Sequence, residues 1–166
     1  LKQQTYLTRE NINMNNESYL DVYSFVGHMR DLAFKVLKIK ENIPFTIGLD
    51  MKKGIYGATV AAEDEPNIMN IRYVEINIDQ TMDDMINTIF HETRHIYQYQ
   101  TYKRYMLLRH RKNIGRTKQR TFKQYWMQPI EIGARLYAKY AMKRYKRQID
   151  NIVQQYKDKV LDLKLY

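Results

Sequence analysis

The pentapeptide His-Glu-Thr-Arg-His at residues 91–95 has the residue types and the spacing of a helical metal site. Positions i and i+4 of a helix lie one turn apart on the same face, so the imidazoles of His91 and His95 can bind one metal ion. Glu92 projects beside that ion and can accept a proton from a water whose pKa zinc lowers to about 7. The motif predicts a zinc-dependent hydrolase with Glu92 as general base; the alternative is a surface helix with unrelated histidines.

A catalytic zinc site also needs a third protein ligand and an open fourth position. The metzincin extension would require Gly and His where this chain has Gln98 and Thr101, so that extension is absent. Glu131 is the better candidate, because it is the only acidic residue between Glu92 and Asp150 and stands near the start of a predicted helix. Its alternative role is to complement the dipole of that helix.

The two motifs together resemble the gluzincin pattern of zinc metallopeptidases, in which His-Glu-x-x-His is followed by a Glu near the start of a later helix. In this chain Glu131 lies in a Pro-x-Glu-x-x-Ala context that begins at Pro129. The chain is similar to small single-domain members: SprT-like proteins, ImmA/IrrE-like proteins, and minimal metallopeptidase-like proteins of phages and mobile elements. The resemblance covers roughly residues 71–138, and the basic, aromatic connection between the motifs matches no single subgroup.

This resemblance implies that His91, His95 and Glu131 bind one zinc ion and that Glu92 is the general base for cleavage of a protein or peptide substrate. It also implies a minimal zincin-like fold, with a helix, a small sheet, the motif helix and a closing helix. The strand at residues 71–78 would then be the edge strand that aligns the substrate.

Catalysis of this kind also requires a group that stabilises the oxyanion. Tyr125, Tyr137, Arg94 and Arg135 are candidates because they are close to the motifs in sequence, although each is also compatible with a purely structural role. Arg135 lies one helical turn after Glu131, so it could instead orient that carboxylate.

The charge of the chain is concentrated in its second half. Residues 1–90 hold 9 Lys and Arg against 13 Asp and Glu, whereas residues 91–166 hold 19 against 5. Such a basic half attracts nucleic acid or an acidic protein, or it is a plain solvated surface. A run of cations at residues 139–147 is interpreted as a solvated helix face.

A second cationic stretch lies between Tyr102 and Trp126, where nine Lys and Arg are interleaved with aromatic residues. Basic side chains neutralise phosphates and aromatic rings stack on unpaired bases, although the same rings could pack inward. The candidate nucleic-acid contacts are Lys103, Arg104, Arg109, Arg111, Lys112, Arg116, Lys118 and Arg120.

The elements that must position these side chains begin with a helix. Apolar residues recur at helical spacing from residue 18 to residue 40, with Ser18 as a possible N-cap and Pro44 ending the helix at or before Asn42. Strands are expected at residues 45–49, 55–61 and 71–78, and the first two are expected to form a hairpin through residues 50–54.

The motif helix is expected to begin after Thr81, which forms a capping-box pattern with Asp84, and to run to about Leu108. Pro129 suits the first turn of a further helix, and residues 130–161 are expected to form one long helix or two. The order of elements predicts an α+β fold, in which a small, mostly antiparallel sheet packs on helices.

Length and composition limit the number of domains and the kinds of site that the chain can form. The 166 residues, of which 44% are hydrophobic, predict a single domain spanning residues 1–166 with a real core. The absence of Cys excludes disulfides, thiol catalysis and Cys-ligated zinc. No long apolar run or signal-peptide pattern is seen, so no membrane span and a cytoplasmic localisation are expected.

The alternative function is a zincin-fold protein that binds nucleic acid or an acidic regulatory protein without turnover.

Overall fold

The computed structural model describes residues 16–48, 51, 55–61, 71–78, 80–102 and 126–160. Within these residues the chain is α+β, as predicted. No helix among them combines the length and apolar composition that a membrane span requires. The helices are α1 (Asn16–Leu37), α2 (Met82–Thr101), α3 (Pro129–Arg144) and α4 (Lys146–Val160), and the strands are β1 (Phe45–Gly48), β2 (Gly57–Ala61) and β3 (Ile71–Asn77).

The sheet is mixed, and its strand order is β1-β3-β2. β1 pairs with β3 in parallel and β2 pairs with β3 in antiparallel orientation, so the predicted hairpin between the first two strands is wrong. The expectation that residues 71–78 form the edge strand is also wrong. β3 is the central strand, because β1 and β2 pair with its two edges. The core covers its apolar face, where Val74 and Ile76 are fully buried.

The first helix begins earlier than predicted, and it ends within the predicted limit but for a different reason. It begins at Asn16, so Ser18 lies inside the helix and is not its N-cap. It ends at Leu37 because Lys38 adopts the left-handed conformation with φ 57°. The Ile39 amide then donates to the Phe34 carbonyl and the Lys38 amide to the Lys35 carbonyl, which is the pair of bonds of a Schellman motif. A backbone motif therefore ends this helix well before Pro44.

The motif helix begins as predicted and ends earlier than predicted. The Thr81 hydroxyl accepts from the Asp84 amide at 3.1 Å and donates to the Asp84 carboxylate at 2.7 Å. This cap satisfies an amide that the first turn of a helix would leave without a partner. α2 ends at Thr101 rather than near Leu108, and the Tyr102 amide closes it by donating to the Gln98 carbonyl.

The C-terminal segment forms two helices, α3 and α4, separated at Tyr145. α3 packs chiefly on α2, and α4 packs on α1. The buried side of α3 carries Ala134, Ala138 and Ala141, which recur at helical spacing. Because these side chains are small, the axes of α3 and its neighbours can approach closely.

On its other side α2 packs on β2, and Gly57 makes this approach possible. A Cβ at Gly57 would lie 2.6 Å from Thr88 Cγ2 and 3.1 Å from Glu92 Cγ. Thr88 cannot easily rotate away, since its hydroxyl donates to Gln80 Oε1 at 3.0 Å. α2 is thus held between β2 and α3, and the motif side chains reach both.

Gly57→Ala is expected to lower the free energy of unfolding by about 1–3 kcal/mol, because the added methyl overpacks the contact between β2 and α2. Gly27→Ala is the matched control. Gly27 lies within α1 with nothing within 4 Å of an added Cβ, so the better helix propensity of Ala should raise the free energy of unfolding by about 1 kcal/mol. Urea denaturation followed by circular dichroism measures both, and equal shifts in one direction would contradict this packing.

Candidate metal centre

The three motif side chains leave α2 in two directions. His91 and His95 face the beginning of α3, where both imidazoles meet Glu131. Glu92 faces the sheet, where its carboxylate meets Thr59 of β2. Glu92 and His95 are buried and His91 is partly exposed, so the group opens to solvent on the His91 side.

The predicted ligands converge on one place. His91 Nε2 and His95 Nε2 are 3.0 Å apart. Glu131 lies in the first turn of α3, and its two carboxylate oxygens are 3.4 Å from His91 Nε2 and 3.5 Å from His95 Nε2. The structure therefore brings together His95 and Glu131, which are 36 positions apart in the sequence.

These donors fit a zinc ion. Nitrogen and oxygen ligands about 2.0–2.1 Å from a tetrahedral zinc would be about 3.3 Å from one another, and the separations of 3.0, 3.4 and 3.5 Å lie around that value. Two imidazole lone pairs and buried carboxylates also repel one another unless a cation lies among them. His91, Glu92 and His95 could hold a metal ion, since one ligand atom of each lies within 4.8 Å of the others.

Gln98 fixes the orientation of His95. The Gln98 amide nitrogen donates to the Ile130 carbonyl at 3.2 Å, so its oxygen faces His95 Nδ1 at 3.0 Å and must accept the Nδ1 proton. His95 Nε2 then keeps the lone pair that a metal ion requires. Gly133 leaves room for this arrangement, because a Cβ there would lie 3.1 Å from the Gln98 amide nitrogen.

The electrostatics of the cluster favour positive charge at His95. Burial lowers the pKa of His95, but the hydrogen bond with Glu131 and the negative charges of Glu92 and Glu131 outweigh it, so the pKa is raised above its ordinary value of 6.5. The same carboxylates that raise this pKa would also attract a metal cation. Metal and proton compete for the same nitrogen.

Glu92 is held by the sheet. The Thr59 hydroxyl donates to Glu92 Oε2 at 2.7 Å, while Glu92 Oε1 lies 3.9 Å from His91 Nε2. One carboxylate oxygen is thus anchored, and the other stays next to the metal ligands. This is the arrangement that a general base needs, because the proton acceptor must lie within reach of a water in the cluster.

Three further candidates contact aromatic rings. The Arg135 guanidinium lies 3.7 Å from the centre of the Trp126 ring and donates to the Trp126 carbonyl. Arg94 lies over the rings of Tyr97, at 4.6 Å, and Tyr137, at 5.2 Å. Burial raises the pKa of Tyr137 to about 12, so its hydroxyl stays protonated. These contacts account for the position of each side chain, and their roles at the oxyanion or beside Glu131 stay predictions.

The remaining candidates lie outside the described residues. They are Tyr125 as an oxyanion group and Lys103, Arg104, Arg109, Arg111, Lys112, Arg116, Lys118 and Arg120 as nucleic-acid contacts.

Sequence reasoning missed Thr59 and Gln98. Gln98 follows His95 by three positions, so helical spacing alone would have placed its amide beside that imidazole. Thr59 carries no such signal, because it reaches Glu92 only through the packing of β2 on α2.

Comparison with known proteins does not identify a family for this chain. The chain matches no protein-family model, no curated protein and no solved structure. The interpretation of the cluster therefore depends on its own residues.

Gln98→Leu is expected to weaken zinc binding about 10- to 100-fold, because His95 loses the acceptor that holds its Nδ1 proton. Competition against a chromophoric chelator measures this affinity. Gln98→Glu keeps an acceptor and should bind zinc more tightly than Gln98→Leu. Gln100→Leu is the control on the same helix, since the Gln100 amide nitrogen has no hydrogen-bond partner within the described part of the chain. If Gln98→Leu and Gln100→Leu bind zinc equally well, Gln98 does not orient the ligand.

Proposed function

We propose that this chain is a zinc-dependent metallopeptidase in which His91, His95 and Glu131 bind the metal and Glu92 is the general base. The observation that carries the proposal is the meeting of two imidazoles with a buried carboxylate from another helix. Glu131 is only 6% exposed although water surrounds most glutamates. Burial of a carboxylate is costly unless a cation or donor compensates it, and the two imidazoles with a metal ion between them would do so.

The three ligands are neutral or negative donors of the kinds that zinc prefers. Zinc bound there would supply Lewis acidity, which lowers the pKa of a coordinated water to about 7 and polarises a substrate carbonyl. With three protein ligands, a position remains for water or substrate, and the partly exposed His91 marks the side from which they enter.

Glu92 performs the proton transfers in this proposal. Its Oε2 is occupied by the Thr59 hydroxyl, so Oε1 is the atom that accepts a proton from the attacking water. The same oxygen then passes the proton to the nitrogen of the leaving amine, which becomes a good leaving group. Thr59 keeps the carboxylate from turning away between the two transfers.

β2 is the strand that we assign to substrate alignment, in place of β3. Among the described strands β2 pairs only with β3, and it is the edge strand that contacts Glu92 through Thr59. An extended peptide that adds to an edge strand gains backbone hydrogen bonds and is held in a fixed register. A peptide on β2 would therefore run past the general base.

The purified wild-type protein is incubated with zinc and then dialysed. Elemental analysis is expected to find about one zinc ion per chain. His91→Ala and Glu131→Ala should lose most of it, and both should be less stable, because metal binding adds to the free energy of folding. Glu41→Ala removes an exposed carboxylate and serves as the control. Zinc retained in full by Glu131→Ala would exclude this residue as a ligand.

Glu92→Gln is expected to retain zinc and to cleave peptides at least about 100-fold more slowly, since proton transfer by a general base typically contributes that factor or more. Cleavage of a proteome-derived peptide library, read by mass spectrometry, measures the activity without knowledge of the substrate. Glu41→Gln is the charge-matched control. Equal cleavage by Glu92→Gln and wild type would remove the proposed base, and zinc binding by a wild-type protein that cleaves nothing would favour the non-catalytic alternative.

A further inference from the structure

The outward side of α3 carries charge of one sign only. Between residues 132 and 149 the chain has Arg135, Lys139, Lys143, Arg144, Lys146 and Arg147 and not one acidic residue. Two cations of the described residues form ion pairs: Arg30 of α1 bonds Asp31 at 2.7 Å, and Lys146 bonds Asp150 at 2.8 Å. In the described part of the chain no carboxylate forms an ion pair with Lys139, Lys143, Arg144 or Arg147.

Four of these cations stand at i, i+4 spacing: Arg135, Lys139, Lys143 and Arg147. Like charges at this spacing are neighbours on a helix and destabilise it. Arg135 is occupied by Trp126, so Lys139, Lys143 and Arg147 remain exposed. Arg147 lies in the first turn of α4, two residues after the junction at Tyr145. The helix dipole favours Lys143 in the last turn of α3, but it does not account for Lys139 or Arg147.

Two large side chains lie exposed beside the row. Leu136 is 63% exposed and Tyr140 is 56% exposed, and both share the helix face of Lys139 and Lys143. We name Leu136, Lys139, Tyr140, Lys143 and Arg147 the α3 face. It combines regularly spaced cations, about 6 Å apart along the helix, with an accessible aromatic ring.

We propose that the α3 face binds single-stranded nucleic acid. A polyanion with a regular repeat complements an evenly spaced row of cations, and its phosphates would be neutralised by Lys139, Lys143 and Arg147. The ring of Tyr140 would stack on a base, which requires a strand whose bases are not paired. An acidic protein would satisfy the charges, but only a single strand offers an unpaired base next to every phosphate. This proposal does not depend on the metal centre.

The test is binding of a fluorescein-labelled 20-nucleotide thymidine oligomer to the full chain, followed by anisotropy across a range of salt concentrations. Lys139→Gln/Lys143→Gln/Arg147→Gln should bind about 100-fold more weakly at 0.1 M salt. It should also lower the slope of log K against log salt by about 2, since each lost phosphate contact on a single strand removes about 0.7. Tyr140→Leu should weaken binding about tenfold and leave the slope unchanged.

The control is Lys35→Gln/Lys38→Gln/Lys40→Gln, which removes the same charge from exposed positions at the end of α1 and just after it. It should bind nearly as wild type. Thermal unfolding by circular dichroism should show the α3-face variant to be as stable as wild type or more so, because like-charge neighbours are gone.

Any of four results would overturn the proposal. The α3-face variant could bind as wild type, or the control could lose as much affinity as that variant, which would leave only a general effect of net charge. A duplex of the same length could bind as tightly, with Tyr140→Leu without effect, which would exclude recognition of unpaired bases. Polyglutamate could displace the oligomer at equal charge concentration, which would assign the face to an acidic protein.

Discussion

The main constraint on this structure is a largely buried cluster of electron-rich side chains where α2, α3 and β2 meet. Two imidazole nitrogens lie 3.0 Å apart, with the carboxylates of Glu92 and Glu131 next to them. Such a group is stable only with positive charge inside it, and the raised pKa of His95 expresses that demand as affinity for a proton. A divalent ion would satisfy the same demand with more charge and with directed bonds. β2 and α3 pack on α2 from two sides, and this packing keeps the groups together.

Two close approaches hold the groups in place, and each depends on the smallest residue. Gly57 lets β2 lie against α2, so that Thr59 reaches Glu92, and Gly133 leaves space for the Gln98 amide between α2 and α3. The result separates the two tasks of the site. In the proposed site, the contact between α2 and α3 would assemble the metal ligands, whereas the contact between α2 and β2 would orient the general base.

Local patterns predicted local features well. The N-cap at Thr81, the helical motif with both imidazoles on one face, and the carboxylate of Glu131 at the start of a helix depend on neighbours within a turn, and the structure places them as expected. The failures concern pairings between distant segments. No local pattern distinguishes a hairpin from strands that both flank β3, so strand order, the edge strand and the partner of Glu92 could not be predicted from sequence. The Schellman motif that ends α1 was not predicted, because such a motif usually has glycine where this chain has Lys38.

The charges of α3 have two different explanations. The helix dipole favours an anion in the first turn and cations in the last, which accounts for Glu131 at one end and for Lys143 and Arg144 at the other. It doesn't account for Lys139, which lies between the two ends, or for Arg147, which lies beyond them. A solvated surface would normally mix both signs, as α1 does with Asp31 beside Arg30. The nucleic-acid partner that we propose would account for Lys139 and Arg147.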